Sequence, residues 1–428
     1  MRILHTADWH LGKTLEGRDR QNEQEKFVEE ICGICREENI QLVLITGDVF
    51  QSPNPSAAAE ELFYHALEQL ADNGRRAVVA IAGNHDNPER LCAASPLAQR
   101  LGITLAGLPT DSHAAWEFSG AGGDGRVRRI SGGPAWLELA VPGCDHCAVI
   151  IALPYPSEGR LRRLLATTLE DRDLRQGYGR AVADLLGDLA AQHFRPGTVN
   201  LIASHLFVAG GQEVDRELEA NIQVGGAYAV PPEAFPASAQ YVALGHLHRP
   251  QQIASPAASP CIRYAGSPLA YSFAEIGHTK SVVVADILPG KPAAVREIPL
   301  AAPNPLVRWQ AKAGLAEVWS WIDSGRDANA WIDLEIFTPE LLTAEDIRRL
   351  REARPRLVNI RPVVVTSGNA LPKTAARLAD LKLDELFIRF YSQVHGGLSP
   401  DPELVRLFLE LTGESDAAAA AGEEEISE

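Results

Sequence analysis

The sequence predicts an α/β fold: a two-sheet sandwich flanked by helices, then a small α+β domain and a pair of C-terminal helices. Two observations predict the sandwich. Within the first 90 residues, short β-prone apolar runs alternate with amphipathic helical stretches, which makes two βαβ units and so a sheet with helical crossovers. Five separate apolar runs also finish in Asp, Asn or His within a few residues, and loops beyond the carboxyl ends of such strands share one crevice.

The first strand, residues 2–6, runs into Asp8-Trp9-His10. Residues 19–38 form an amphipathic helix whose inward stripe holds Phe27, Val28, Ile31, Cys32 and Cys35. Leu42-Val43-Leu44-Ile45-Thr46 is a buried strand that delivers Gly47 and Asp48 to its exposed end. Ser52-Pro53-Asn54-Pro55 makes a rigid loop, and Ser56 caps a helix expected to reach Asn73. Residues 77–82 are the third strand and end in Gly83-Asn84-His85-Asp86. Between Gly107 and Asp145 glycine clusters replace the helical period, and β-like pieces at 116–118 and 136–139 are expected as edge hairpins.

A buried strand at 149–153 precedes an Arg- and Leu-rich helix from about Glu158 and another near 179–193. The strand at 199–203 ends in Ser204-His205, and the one at 241–244 ends in Gly245-His246-Leu247-His248. Segments 262–265 and 281–287 are expected to close the second sheet, so that the first domain spans 1–300. Pro303 and Pro305 mark a boundary, after which 305–366 alternate strand and helix as a small α+β domain. Residues 367–379 read as a linker. Leu383, Leu386, Phe387 and Phe390 then repeat at i, i+3, i+4, i+7, as do Leu404, Leu407, Phe408 and Leu411. Two helices this short are marginal alone, so the stripes within 380–412 need a partner surface. The acidic tail, 413–428, is expected to be disordered.

Composition narrows the function. The chain has 40 basic and 56 acidic residues, a formal charge of −16; its last 15 residues carry six acids and no base, which leaves −10 on the rest. That argues against a general electrostatic grip on nucleic acid, so any such contact is local or supplied by a partner. No leader peptide and no apolar run of the roughly 18 residues needed to span a bilayer is legible, so a cytoplasmic location is expected. Six cysteines do not make a disulfide framework, and Cys32-x-x-Cys35 lies too far from Cys144-x-x-Cys147 for the usual zinc spacing.

The strand-end residues carry the chemistry. Asp48 ends a buried strand with no Lys or Arg in the ten residues after it, so its charge calls for a metal. If Asp8, His10, Asp48, Asn84, His205, His246 and His248 converge, Asp48 can bridge two cations about 3.5–4 Å apart. Two divalent ions against two aspartates leave a positive surplus suited to a phosphate ester. Mixed imidazole and oxygen ligands favour Mn²⁺, Fe²⁺ or Zn²⁺ over Mg²⁺. His85 is the natural general acid, and Asp86 is expected to orient its ring. His5, inside a strand, reads as a core histidine.

The ordered set Asp8-x-His10, Gly47-Asp48, Gly83-Asn84-His85-Asp86, His205, Gly245-His246-x-His248 resembles the calcineurin-like metallophosphoesterase superfamily. Further stretches, Ala152-Leu153-Pro154-Tyr155 and Tyr264-Ala265-Gly266-Ser267-Pro268, are similar to its DNA-repair nuclease subunits. The resemblance implies the seven metal ligands above, two ions, most simply Mn²⁺, and His85 as proton donor. It also implies a DNA-facing cap at 305–366, docking of the last two helices on the coiled coil of an ATPase partner, and a self-dimer. Many relatives carry Asp or His where this chain has Gln51, and the Arg with which Ser/Thr phosphatases of the superfamily grip phosphoserine is absent from Gln51-Ser52-Pro53.

Candidate DNA contacts are Arg126-Val127-Arg128-Arg129, Arg160-Leu161-Arg162-Arg163, and Arg348, Arg349 and Arg351 with Arg354 and Arg356. The leading expectation is a metal-dependent DNA exo- and endonuclease that works with an ATPase. A stand-alone phosphodiesterase for small substrates would leave the cap and the striped helices without purpose. A non-catalytic DNA-end tether would not need His85 or a full ligand set.

Overall fold

The protein is described from a computed structural model, which covers all residues except 117–124, 158, 161–170, 213–228, 256–259, 302, 340, 365–382, 395–399 and 413–428. The start of the Arg-rich helix near Glu158, the 367–379 linker and the acidic tail therefore lie outside the described residues.

In chain order the strands are β1 (Arg2–Thr6), β2 (Leu42–Thr46), β3 (Ala77–Ile81), β4 (Ile103–Ala106), β5 (Arg128–Gly133), β6 (Trp136–Ala140), β7 (Ala148–Leu153) and β8 (Val199–His205). They continue as β9 (Tyr241–Gly245), β10 (Gln251–Ile253), β11 (Cys261–Tyr264), β12 (Ser281–Asp286) and β13 (Ala294–Pro299). Two sheets result, β13-β12-β1-β2-β3-β4 and β10-β11-β9-β8-β7-β6-β5. Their central strands, β1 to β4 and β7 to β9, run parallel within each sheet, so every ligand-bearing loop leaves from a carboxyl end.

The alternation of side chains builds the layers. In β2, Leu42 and Leu44 face the other sheet, where they pack with Ile150, Leu201 and Ala243, while Val43 and Ile45 face the helices. Helices α1 (Gln21–Glu37) and α2 (Ala57–Ala71) cover that outer face with Phe27, Ile31, Phe63 and Leu67. Ser56 caps α2 by accepting from the Ala59 N–H. Cys32 and Cys35 are buried in this layer, where burial pushes their thiols up to about 11 and about 12, so they behave as packing groups. The helix Asp171–His193 covers the second sheet with Tyr178, Val182 and Leu186.

One expectation about the sheets changes. Ser281–Asp286 does not close the second sheet; it pairs antiparallel with β1 in the first, because its alternating Val283 and Ala285 fill the space between the sheets. The strand Ala294–Pro299, too polar to stand out, pairs beside it as the edge. Trp136–Ala140 does form an edge hairpin with Arg128–Gly133.

A third sheet, β14-β15-β16, comprises Leu306–Ala311, Trp331–Thr338 and Leu357–Val364. The chain divides into two compact units, the first comprising 1–309, 325–334 and 355–359. The division is not the clean break expected at Pro303 and Pro305, because Leu306, Trp331 and Val358 are buried with Leu15 and Phe273 of the first unit. The second unit holds helices Leu315–Asp323 and Ala344–Ala353 and the pair Leu383–Val394 and Pro402–Thr412. In that pair Phe387 stacks on Phe408 with centroids 4.1 Å apart, while Phe390, Leu404 and Leu407 are exposed. Among the described residues no helix is long and apolar enough to cross a membrane.

Candidate metal centre

The site forms where the two sheets press together at their carboxyl ends. A Cβ on Gly245 would lie 1.9 Å from the Thr46 carbonyl of the opposite sheet, and one on Gly83 would lie 2.1 Å from Asp48 Oδ1. Only glycine allows this approach. Gly245→Ala is therefore expected to destabilise the fold by about 3 kcal/mol, the upper part of the overpacking range, and to lower bound metal. Urea midpoints and metal analysis of the purified variant check it; a wild-type midpoint would refute the close contact.

The loops are knitted in a strained conformation. Asp8, His10, Asp48 and His246 all have positive φ, at 54°, 45°, 47° and 106°. Such a backbone costs of order 1–3 kcal/mol per residue and persists where the surroundings dictate it. Here the Asp8 N–H donates to the Gly47 carbonyl, the His10 N–H to the Asp48 carbonyl, and the His246 N–H to Asp8 Oδ1.

All seven expected ligands meet. His10 Nε2 lies 3.0 Å from His248 Nε2 and 3.7 Å from Asp48 Oδ2. His205 Nε2 lies 2.9 Å from Asn84 Oδ1 and 3.4 Å from Asp48 Oδ2, and His246 Nδ1 lies 3.1 Å from the same Asn84 oxygen. Asp8, His10 and His248 cluster on one side and Asn84, His205 and His246 on the other, with Asp48 grouped both with His10 and His85 and with Asp8 and His205. Asp8, Asp48 and four histidines are buried, whereas Asn84 is exposed and His85 half-buried, so the centre opens on their side.

The electrostatics fit a cation. Burial pushes the Asp8 carboxyl up, with the Asp48 charge adding to it. Burial acts on Asp48 in the same sense, but His205 and His10 outweigh it and hold that carboxyl well below the usual range. Burial keeps His10 low and, with His205 beside it, His246 at about 3, so both present neutral lone pairs. His205 is the exception: burial lowers it, but Asp48 and Asp8 carry it up to about 9. Asp8 Oδ2 is buried without a hydrogen-bond partner, and the facing nitrogens of His10 and His248 cannot both carry a proton. A buried orphan carboxylate oxygen beside lone pairs is what divalent cations satisfy, so the residues fit the metal.

One expected role changes. Asp86 does not reach the His85 ring; its carboxylate accepts the backbone N–H groups of Val49, Phe50 and Gly83 at 2.8–3.1 Å and so clamps two ligand loops together. The ring is oriented instead by the Gln51 carbonyl, 3.0 Å from His85 Nδ1. A main-chain oxygen does this for any side chain, which is why Gln51 needs no Asp or His character. Sequence reasoning also misses Tyr271, whose ring stands edge-on to His10 and His248 at 5.5 and 6.1 Å and whose hydroxyl bonds the Trp9 carbonyl. No periodicity or spacing marks it. His5 is a core histidine as expected, held by Tyr241, Thr46 and the Leu244 carbonyl.

The basic candidates are placed less favourably. Arg348 is engaged by Glu345 and Glu352 of its own helix, and Arg349 lies over the Trp319 ring, while Arg351 is exposed. The helix Ala344–Ala353 carries three Arg against Glu345, Asp346 and Glu352, so it has no net charge. Arg129 donates to Thr104 and the Ala114 carbonyl, and Arg160 to the Tyr155 carbonyl.

The calcineurin-like phosphoesterase profile matches residues 1–250, the span that holds all seven candidate ligands. The chain belongs to that family. It is thus a metallophosphoesterase, a hydrolase of phosphoester bonds, and divalent metal ions belong to its centre. A second profile, described as the type 5 capsule protein repressor C-terminal domain, matches 302–395 of this phosphoesterase. Among curated relatives, the D subunit of the SbcCD nuclease of Bacillus subtilis is 45% identical over 96% of this chain and 97% of its own length. The protein of the same name from Rhodobacter capsulatus is 36% identical over 76% and 75%, and that of Escherichia coli K12 is 26% identical over 91% and 92%.

Proposed function

We propose that this phosphoesterase is a metal-dependent DNA nuclease, the D subunit of a complex with an SbcC-type coiled-coil ATPase, acting as double-strand exonuclease and single-strand or hairpin endonuclease. The observation that carries this is the likeness to SbcCD nuclease subunits over 96% of the chain, joined to a complete ligand constellation. Asp8, His10, His248 and Asp48 would hold one ion, and Asp48, Asn84, His205 and His246 the other, Mn²⁺ being the metal best suited to this donor set. When bound, the ions would polarise the phosphate and lower the pKa of a water between them.

The chain's own residues do the rest. His85 Nε2, 4.0 Å from Asp48 Oδ2, faces the open side with its Nδ1 fixed, in place to protonate the leaving oxygen. Asp86 is a positioning residue that keeps the 47–51 and 83–86 loops in register. Residues 305–366 would face DNA, with Arg351 outside the ion pairs that engage Arg348, so Arg348 and Arg349 contribute only if phosphate displaces their present partners. Leu383, Leu386, Phe387, Phe390, Leu404, Leu407, Phe408 and Leu411 would dock on the ATPase, in a heterotetramer built on a homodimer of this chain in the cytoplasm.

The test is Mn²⁺-dependent cleavage of linear and hairpin DNA by purified protein, with and without the ATPase; hydrolysis of small phosphodiesters but of neither DNA would favour a stand-alone phosphodiesterase. Truncation after Asp380 is expected to spare hydrolysis of a simple phosphodiester and to abolish co-purification with the ATPase. Retained co-purification would remove the helix pair from the interface.

A further inference from the structure

Behind His248 lies a buried pair of opposite charges that the chemistry above does not use. Glu275 and Lys280 are 1% and 4% exposed and form an ion pair. Lys280 Nζ also donates to the His248 carbonyl at 3.0 Å and to Ser267 Oγ at 2.8 Å, and the Ser267 N–H reaches the same carbonyl at 3.2 Å. Glu275 Oε1 accepts from the Tyr271 N–H at 2.9 Å and lies 3.7 Å from His248 Nδ1. That nitrogen is buried and makes no hydrogen bond, while Nε2 of the same ring faces His10.

A buried ion pair is a weak stabiliser, since well-packed apolar residues of similar volume often serve as well or better. Its placement here has another consequence. A carboxylate facing the far nitrogen of a ligating imidazole fixes both the ring plane and the tautomer, with Nδ1 carrying the hydrogen and the lone pair left on Nε2.

We propose that Glu275 and Lys280 are positioning residues for the ion held by Asp8, His10 and His248. Lys280 and Ser267 fix the His248 main chain through its carbonyl, and the Glu275 charge, 3.7 Å from Nδ1, favours the tautomer that carries its hydrogen there. The Gly266-Ser267-Pro268 turn, which belongs to no ligand set, gains a physical role as the shelf on which His248 rests. The pair stands on one side of the centre only, so its effect falls on one ion and spares the one served by Asn84, His205 and His246. This inference rests on His248 being a ligand.

The test uses the full chain freed of metal by chelator and titrated with Mn²⁺ in a calorimeter, with the unfolding midpoint of each metal-free variant recorded alongside. Glu275→Gln is expected to weaken one of two Mn²⁺ by about 10–100-fold and to leave the other unchanged. Glu275→Asp recovers part of the loss. The double variant Glu275→Leu/Lys280→Met, which removes both charges and keeps the volume, weakens the same ion at least as much while its metal-free midpoint stays close to wild type. Wild-type affinities in both Glu275→Gln and the double variant would overturn the proposal if His248→Ala loses an ion. Equal weakening of both ions, in step with lower metal-free midpoints, would reduce the pair to a structural role. Two ions bound as in wild type by His248→Ala would overturn the ligand assignment and the inference with it.

Discussion

His85→Ala is expected to abolish DNA cleavage, a loss of at least about 10²–10⁴ in kcat, with metal content near two ions per chain. The size follows from the leaving group: a sugar hydroxyl departs poorly unless protonated as the bond breaks. The sparing of metal follows from geometry. The ring is half-buried at the open side, its Nδ1 tied to the Gln51 carbonyl, and the Asn84-His205-His246 group closes without it. The loop itself is held by backbone N–H groups donating to carboxylates, the His85 N–H to Asp48 Oδ1 and three others to Asp86, none of which involves the His85 side chain. Metal analysis and single-turnover cleavage of the same preparation check both halves. Loss of both ions in this variant would make His85 a ligand and leave the proton donor unassigned.

Asp48→Asn is expected to remove both ions, where Asp8→Asn removes one. Asp48 Oδ2 lies within 4.0 Å of nitrogens on His10, His85 and His205, between the two proposed ligand groups. Asparagine keeps the shape and the hydrogen bond to the His85 N–H, and the change tests charge rather than packing. Because His205 and His10 hold the Asp48 carboxyl well below the usual range and Asp48 carries His205 up to about 9, neutralising it removes a buried attraction, so the metal-free variant should unfold earlier than wild type. The rise in Tm that Mn²⁺ gives the wild type should vanish, since ligand stabilisation grows as the logarithm of one plus the ratio of ligand concentration to Kd and disappears once Kd far exceeds the metal concentration. Thermal scans with and without Mn²⁺ check this; a retained metal-dependent rise would mean that Asp48 does not bridge.

The candidate site is legible because each candidate ligand sits within a few residues of the end of a short apolar run, and the parallel strands bring those ends to one edge of the sheets. Asp8, His10, Asp48, Asn84, His205, His246 and His248 are all readable in this way. The role of Asp86 is not, because a carboxylate next to a functional histidine and a carboxylate clamping two loops have the same local sequence; which N–H groups it accepts depends on residues 37 positions away. The sheet to which Ser281–Asp286 belongs escapes for a similar reason: its alternation shows that it is a strand and is silent on which edge it joins. The arginines of Ala344–Ala353 stand out as a basic run, but the acids at i−3 and i+4 from Arg348 cancel them once the helix forms.

By itself the sequence determined most of the strands and helices, the candidate ligands and the superfamily they resemble, since those depend on local periodicity and on the residues just beyond each strand. Only the tertiary structure decided that the two sheets close to glycine-only distance at Gly245, that a main-chain carbonyl orients His85, and that Glu275 and Lys280 stand behind His248. These are contacts between segments far apart in the chain, set by sheet packing, and no local pattern encodes them.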